Sequence, residues 1–304
     1  LAFFHLKVFF SGKMNISKRL LKTTHKEERL MIYLTGDIHA SHGIERLSDK
    51  GFPEQNGLTK SDYVIICGDF GCVWDGGKQD QYWQDWLQEK PFTTLFVDGN
   101  HENFDLLNSY PVSEWNGGKV QFIRPHVIHL MRGQIYSLDG KSIFTMGGAA
   151  CHDIWNGVLD TDDPAFTVKF DYMKKRNMFF RVNHYSWWKE ELPSQSELEE
   201  GYQNLARHNF TVDYVVTHCL SDQYHLSFVQ GEYIADSLTQ FFTSLDEKVT
   251  CNQWFCGHYH TNRIMDDRHT VLYEAIISES QWDTANKAER KQMLKQISKR
   301  EAVI

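Results

Sequence analysis

Five short clusters along this chain carry the residue types that hold metal ions and move protons. They are Gly36-Asp37-Ile38-His39, Gly68-Asp69, Gly99-Asn100-His101-Glu102, a single His218, and Gly257-His258-Tyr259-His260. Carboxylate oxygen and imidazole nitrogen together suit borderline divalent cations such as Mn, Fe, Zn, Co or Ni. Asp37 and Asp69 bring negative charge, and His39, His218, His258 and His260 bring neutral donors. With Asn100 the candidates are more than one ion needs, and they suffice for two if one carboxylate is shared. A pair of cations ~3.5–4 Å apart hydrolyses phosphoesters by clamping phosphoryl oxygens and acidifying a shared water. The glycine ahead of Asp37, Asp69, Asn100 and His258 is expected to let the backbone turn sharply.

Such donors work only if distant segments converge. Each cluster follows a short apolar run, at residues 31–35, 63–67, 94–97, 214–217 and 254–256. Runs this short, rich in Val, Ile, Tyr and Phe, read as buried strands. Asp37 and Asp69 lie 32 residues apart and Asp69 and Asn100 lie 31 apart, close to the roughly 30 residues of a βαβ unit. Sites in open α/β sheets gather at the carboxyl ends of strands. Helical patterns fall between the runs. In residues 80–89, Trp83, Trp86 and Leu87 share a face, and Ser194 with Glu197 forms a capping box for a helix over 195–208.

Residues 126–131, 134–138 and 142–146 read as strands of a second, more antiparallel sheet, with Asp139-Gly140 as a hairpin signal. Residues 151–193 read as an aromatic-rich insert or lid whose rings pack on the main body. Residues 283–300 read as a charged surface helix, and residues 1–30 as a basic extension outside the fold. The expectation is therefore an α/β domain over 31–282, followed by a C-terminal charged helix over 283–304.

Composition bounds the partners. The 304 residues are 41% hydrophobic and 14% aromatic, which excludes a disordered chain. Net charge is −8; residues 1–30 carry a net +5, which leaves the rest at −13. An acidic body disfavours sequence-independent nucleic-acid binding. No apolar run is long enough to span a bilayer. The six scattered cysteines contain no Cys-x-x-Cys, which points to small buried hydrophobes in a reducing, cytoplasmic setting rather than a disulfide framework or a structural zinc module. Oligomeric state is not legible.

Taken in order, Gly-Asp-x-His, Gly-Asp, Gly-Asn-His-Glu, His and Gly-His-x-His resemble the calcineurin-like metallophosphoesterase superfamily, over Gly36 to His260. The extended Gly-Asn-His-Glu-Asn-Phe-Asp, Trp-Asn-Gly-Gly and Met-Gly-Gly-Ala motifs look most like bacterial or phage members. The resemblance implies two stacked mixed β-sheets flanked by helices, a four-layer α/β/β/α sandwich. It implies a metal-dependent phosphoric ester hydrolase, phosphatase or phosphodiesterase, with two divalent ions, manganese foremost, and a metal-bridging hydroxide as nucleophile. By match, Asp37, His39 and His260 hold the first ion, Asn100, His218 and His258 the second, and Asp69 bridges. His101 is the implied proton donor or charge stabiliser at the leaving group, Glu102 its orienting carboxylate, and Asn100 also helps hold the phosphoryl group.

One departure bears on substrate. Protein serine/threonine phosphatases of the superfamily carry Asp-Arg-Gly shortly after the second motif, where Cys72, Val73 and Trp74 stand here. Arg124, Arg132 and Arg181 are candidates for the missing phosphate clamp. His42, His152, Asp153 and Asp75 lie near the motifs as solvated loop residues or a supporting layer. The expected substrate is a small-molecule or nucleotide phosphoester. The alternatives are a nuclease or nucleotide pyrophosphatase, and an inactive interaction scaffold, which should have lost ligands that this chain keeps.

Overall fold

Among the described residues, fifteen strands and eight α-helices follow from short apolar runs broken by polar turns. The computed structural model describes residues 30–151, 154–228 and 234–295. The expected basic extension lies outside those residues, apart from Leu30, which packs against the core. In the first half come β1 (Ile32–Thr35), β2 (Tyr63–Ile66), β3 (Thr93–Phe96), β4 (Val112–Trp115), β5 (Gly118–Arg124), β6 (Val127–Leu130), β7 (Gln134–Leu138) and β8 (Lys141–Met146). Then follow β9 (Val158–Leu159), β10 (Arg181–Val182), β11 (Tyr214–Thr217), β12 (Gln253–Cys256), β13 (Arg263–Ile264), β14 (His269–Val271) and β15 (Ile277–Ser278). The helices are α1 (Lys78–Glu89), α2 (Phe104–Leu107), α3 (Phe166–Lys175), α4 (Gln195–Arg207), α5 (Asp222–His225), α6 (Ser237–Asp246), α7 (Glu279–Thr284) and α8 (Lys287–Met293).

Two mixed sheets face each other. One has the order β15-β1-β2-β3-β6-β5-β4 and the other β13-β14-β12-β11-β8-β7. Strands β1, β2, β3 and β6 run parallel, as do β8, β11, β12 and β14. The alternation of side chains along a strand sorts them into layers. Ile32, Leu34, Ile65 and Leu95 point inward and meet Tyr136, Ile143, Tyr214 and Phe255 of the opposite sheet. Tyr33, Val64, Ile66 and Phe96 point outward onto Leu87 of α1 and onto Phe92 just beyond it. Phe144, Val215, Trp254 and Cys256 point outward onto α4 and α6 through Leu205, Leu238 and Phe242. Both faces of each central strand are thus covered, which is why those runs are apolar throughout. The result is the expected four-layer α/β/β/α sandwich.

Several expectations need correction. Residues 126–131 do not open the second sheet: β6 pairs parallel with β3 in the first, and the chain changes sheets between β6 and β7. The second sheet is mostly parallel at its centre; β7–β8 and β13–β14 supply its antiparallel edges. A hairpin, β4–β5, was not anticipated although Asn116-Gly117 joins it, with both residues at positive φ (48° and 94°). That pair is a strong signal for a tight hairpin turn. The C-terminal segment is two helices rather than one, because Asn286 caps α8 with its side chain accepting from Ala288 and Glu289; residues 296–300 of the expected helix lie outside the described residues.

The insert also differs from expectation. Of its described rings only Trp188 is fully buried, while Trp155, Tyr172, Phe179 and Tyr185 are exposed. Phe170 packs with Phe166 and Phe180 instead of on the body. The anchor is polar: Asp105 of α2 accepts from the Trp188 indole at 2.7 Å and pairs with His184 at 2.9 Å. Other expectations hold. The Ser194–Glu197 capping box is present at the start of α4. Cys67, Cys72, Cys219 and Cys256 are buried thiols. Among the described residues no helix is long and apolar enough to cross a membrane.

Near the end of the insert, Glu191 is buried, and its Oε2 has no hydrogen-bond partner. Burial pushes its carboxyl up to about 8, helped by the charge of Asp69 and opposed by backbone N–H groups and Arg181. Between its ordinary unfolded value near 4.5 and about 8, the folded chain keeps a proton that the unfolded chain has released. Stability therefore falls as pH rises through that window. Glu191→Gln is expected to melt progressively higher than the parent as pH goes from 5.5 to 8.5. A melting gap that stays constant across those buffers would contradict this.

Candidate metal centre

The carboxyl ends of β1, β2 and β3 in one sheet and of β11 and β12 in the other open onto one crevice. Asp37 and His39 follow β1, Asp69 follows β2, Asn100 and His101 follow β3, His218 follows β11, and His258 and His260 follow β12. The five strand ends meet across the sandwich rather than side by side in one sheet.

Asp37, His39, Asp69 and His260 each offer one donor atom, all within 4.8 Å of one another. His39 Nε2 stands 3.0 Å from His260 Nε2 and 3.5 Å from Asp69 Oδ2, and His260 Nε2 stands 3.2 Å from Asp37 Oδ2. The other oxygen of Asp69 faces a second group. Asp69 Oδ1 lies 3.3 Å from His218 Nε2, which is itself 3.3 Å from Asn100 Oδ1. The His258 ring centroid is 4.9 Å from that of His218. The two oxygens of Asp69 thus turn toward two different donor sets.

Backbone conformation is committed to this arrangement. His39, Asp69, His258 and His260 all adopt left-handed φ, at 43°, 46°, 69° and 47°. Such residues cost about 1–2 kcal/mol each and cluster at functional sites. The glycines serve a different purpose from the one expected. Only Gly68, at φ 96°, needs left-handed freedom among the four that precede Asp37, Asp69, Asn100 and His258. For the others, space decides: a Cβ at Gly99 would sit 2.1 Å from Asp69 Oδ1, and one at Gly257 would sit 2.0 Å from Asp37 Oδ1. The site carboxylates press against bare backbone.

Backbone donors fix those carboxylates. His101 N–H donates to Asp69 Oδ1 at 2.9 Å, and His258 N–H donates to Asp37 Oδ1 at 2.9 Å. Two residues outside the expected set support the first group: Tyr273 stacks on the His260 ring at 4.8 Å, and Arg46 donates to the Asp37 carbonyl at 2.8 Å. Charge is balanced between the groups. Burial works against a charged His218, but Asp69 and Asp37 outweigh it and push the ring up to about 10. The hydrogen bond to Asp37 raises His260, whereas burial lowers His39. Two imidazole nitrogens and two carboxylates aimed at one point are a donor set that fits a divalent cation.

The sequence of residues 30–262 matches the calcineurin-like phosphoesterase family. The chain belongs to that family. That family typically binds divalent metals. No curated protein matches the chain. Among solved structures it is similar to a Staphylococcus aureus protein described as a 5′-nucleotidase, at 13% identity and a TM-score of 0.37; the alignment covers 89% of this chain and 58% of that one. A likeness of that degree says nothing about substrate.

Two of the three arginine candidates for a phosphate clamp are engaged elsewhere. Arg132 is buried and donates through Nε and Nη2 to Asp98 Oδ2, at 2.8 and 2.5 Å. Arg124 bonds Asp85 at the surface at 2.8 Å. Arg181 lies close enough to Glu191 to lower its carboxyl. Glu102 is buried, and its oxygens accept from the backbone N–H of Phe70 at 2.7 Å and of Gly71 at 3.2 Å. These bonds tie the loop after β2 to the loop after β3. His42 and Asp75, expected near the motifs, line a cavity of about 310 Å³ with His39, His101, Trp74 and Gln79. His152 and Asp153 lie outside the described residues. Asp98 was missed by the sequence reading although it sits one residue before Gly99, because a lone Asp ahead of a ligand motif has no distinguishing signal.

Proposed function

We propose that this phosphoesterase hydrolyses small-molecule or nucleotide phosphoesters with two divalent cations, manganese first among Mn, Fe, Zn, Ni and Co. In this reading Asp37, His39 and His260 hold one cation, Asn100, His218 and His258 the other, and Asp69 is shared. The observation that carries it is the pair of Asp69 oxygens facing separate donor sets, at 3.5 Å from His39 and 3.3 Å from His218. Bound cations supply Lewis acidity, drawing charge from the phosphoryl oxygens and acidifying a water so that it can act as nucleophile near neutral pH.

The chain's own residues do the rest. Backbone N–H groups hold the buried carboxylates of Asp37 and Asp69 in place. The Asn100 amide sits beside His218, where it can hold a phosphoryl oxygen. His101 follows directly. Its ring lies 5.3 Å from the His39 ring, edge to face, and lines the cavity. From there it can deliver a proton to the departing oxygen. Glu102 keeps that loop in place through Phe70 and Gly71, and we assign it an orienting role toward His101. The buried thiols Cys67, Cys72, Cys219 and Cys256 fit a cytoplasmic setting.

The test compares p-nitrophenyl phosphate with its bis-ester under Mn²⁺, before and after a chelator. Hydrolysis of at least one ester is expected, lost on chelation and restored by added Mn²⁺. Protein loaded in turn with several divalent ions that cleaves neither ester would favour the inactive scaffold instead.

A further inference from the structure

The roughly 310 Å³ cavity adjoins the first donor set, with which it shares His39, and His101 also lines it. Its far wall is the turn after β2, and that turn is rigid. The buried carboxylate of Asp80 accepts three backbone N–H groups through Oδ2: Trp74 at 2.7 Å, Asp75 at 2.9 Å and Gly76 at 2.8 Å. Asn103 donates to the Trp74 carbonyl at 2.6 Å, and the Trp74 ring packs edge-on against Trp188, at 5.7 Å and 78°. The Trp74 backbone is thus held at its N–H and its carbonyl, and its indole rests against Trp188. Flat rings of His42 and His101 and the amide of Gln79 complete the lining.

Charge gives the cavity its selectivity. Among the described residues that line it there is no Lys or Arg, while the exposed Asp75 contributes a carboxylate. A volume of about 310 Å³ lies at the small end of the ~300–1,000 Å³ typical of ligand sites, which admits one ring system. We propose that this cavity is the leaving-group subsite, and that it takes an uncharged, hydroxylated leaving group with a flat ring, of nucleoside type, and rejects one that carries its own phosphate. The ring would lie against Trp74, where stacking is tolerant of ring identity. Asp75 and Gln79 would accept from hydroxyls. A second phosphate in the cavity would meet the Asp75 carboxylate with no cation from the lining to offset it. This inference rests on the hydrolase reading for its name as a leaving-group site, but occupancy of the cavity does not.

Two measurements test it. In the first, adenosine is titrated calorimetrically into chelator-treated protein. Saturable binding is expected, weakened about tenfold in Trp74→Ala and retained in Trp74→Phe. No binding, or equal binding by all three proteins, overturns the proposal. In the second, kcat/KM for adenosine monophosphate and adenosine diphosphate is compared on Mn²⁺-loaded protein. The monophosphate is expected to lead by about tenfold at low salt, with the lead shrinking as salt rises and reversing in Asp75→Lys. Equal rates for the two nucleotides, with Asp75→Lys leaving the ratio unmoved, also overturn it. If no phosphoester of any kind is cleaved, the hydrolase reading fails instead, and the adenosine titration still decides the subsite.

Discussion

Asp69→Asn is expected to lower kcat for p-nitrophenyl phosphate by at least 10²–10³-fold while the protein stays folded. The side chain is almost completely buried, and Asn matches its shape, so packing is kept. What changes is charge and donor type. One oxygen accepts the His101 N–H at 2.9 Å and faces His218, and the other faces His39 at 3.5 Å. An amide can keep one of those roles, but its NH₂ then points a donor at an atom meant to be a ligand. The negative charge that binds the two donor sets is also gone. Steady-state kinetics, with thermal melting and metal content measured on the same preparation, give the check. A variant that binds two equivalents of Mn²⁺ and keeps more than a tenth of parental activity would remove Asp69 from the proposed bridging position.

Arg132→Met should be the most costly change to stability away from the crevice, at about 3–5 kcal/mol. The guanidinium is 5% exposed, and its partner Asp98 is 1% exposed. Opposing the desolvation of Asp98, Arg132 and His129 hold its carboxyl well below the usual range. Arg132 also donates to the Glu190 carbonyl at 2.7 Å, and Gly148 N–H donates to the Asp98 carbonyl at 2.9 Å. One ion pair therefore joins the end of β3, the end of β8 and the close of the insert. Methionine fills the space of the stem but leaves the carboxylate buried with only His129, 3.1 Å away. A fall in melting temperature on the order of 10 °C is expected. Adding Asp98→Asn to Arg132→Met should recover part of the loss, because the buried charge is then removed. Two losses that simply add would show that Asp98 and Arg132 are not a unit.

Much of the fold was readable because its central strands are covered on both faces. A run such as residues 214–217 can be apolar throughout only if nothing along it meets water, and all four residues of β11 are buried. The Ser194–Glu197 cap was readable for a local reason, since both partners lie within one helical turn. Elements whose identity depends on distant packing were misread. β6 looks like its neighbours β7 and β8 in composition, yet it joins β3 in the other sheet. The aromatics of the insert resemble core residues, yet Trp155 and Tyr185 are 75% and 76% exposed, because the insert folds mainly on itself.

By itself the sequence determined the kinds of donor, their order and their position just past the strand ends, because ligand chemistry and strand termination are both local properties. Tertiary structure alone decided which donors face which. His39 and His260 are 221 residues apart, and their 3.0 Å contact exists only because two sheets present their carboxyl ends to the same crevice. It also decided that Arg132 is engaged by Asp98, that Glu102 holds backbone, and that Gly99 and Gly257 are small to make room for carboxylates. Those outcomes depend on close approach between segments far apart in the chain, and no local pattern encodes how near they come.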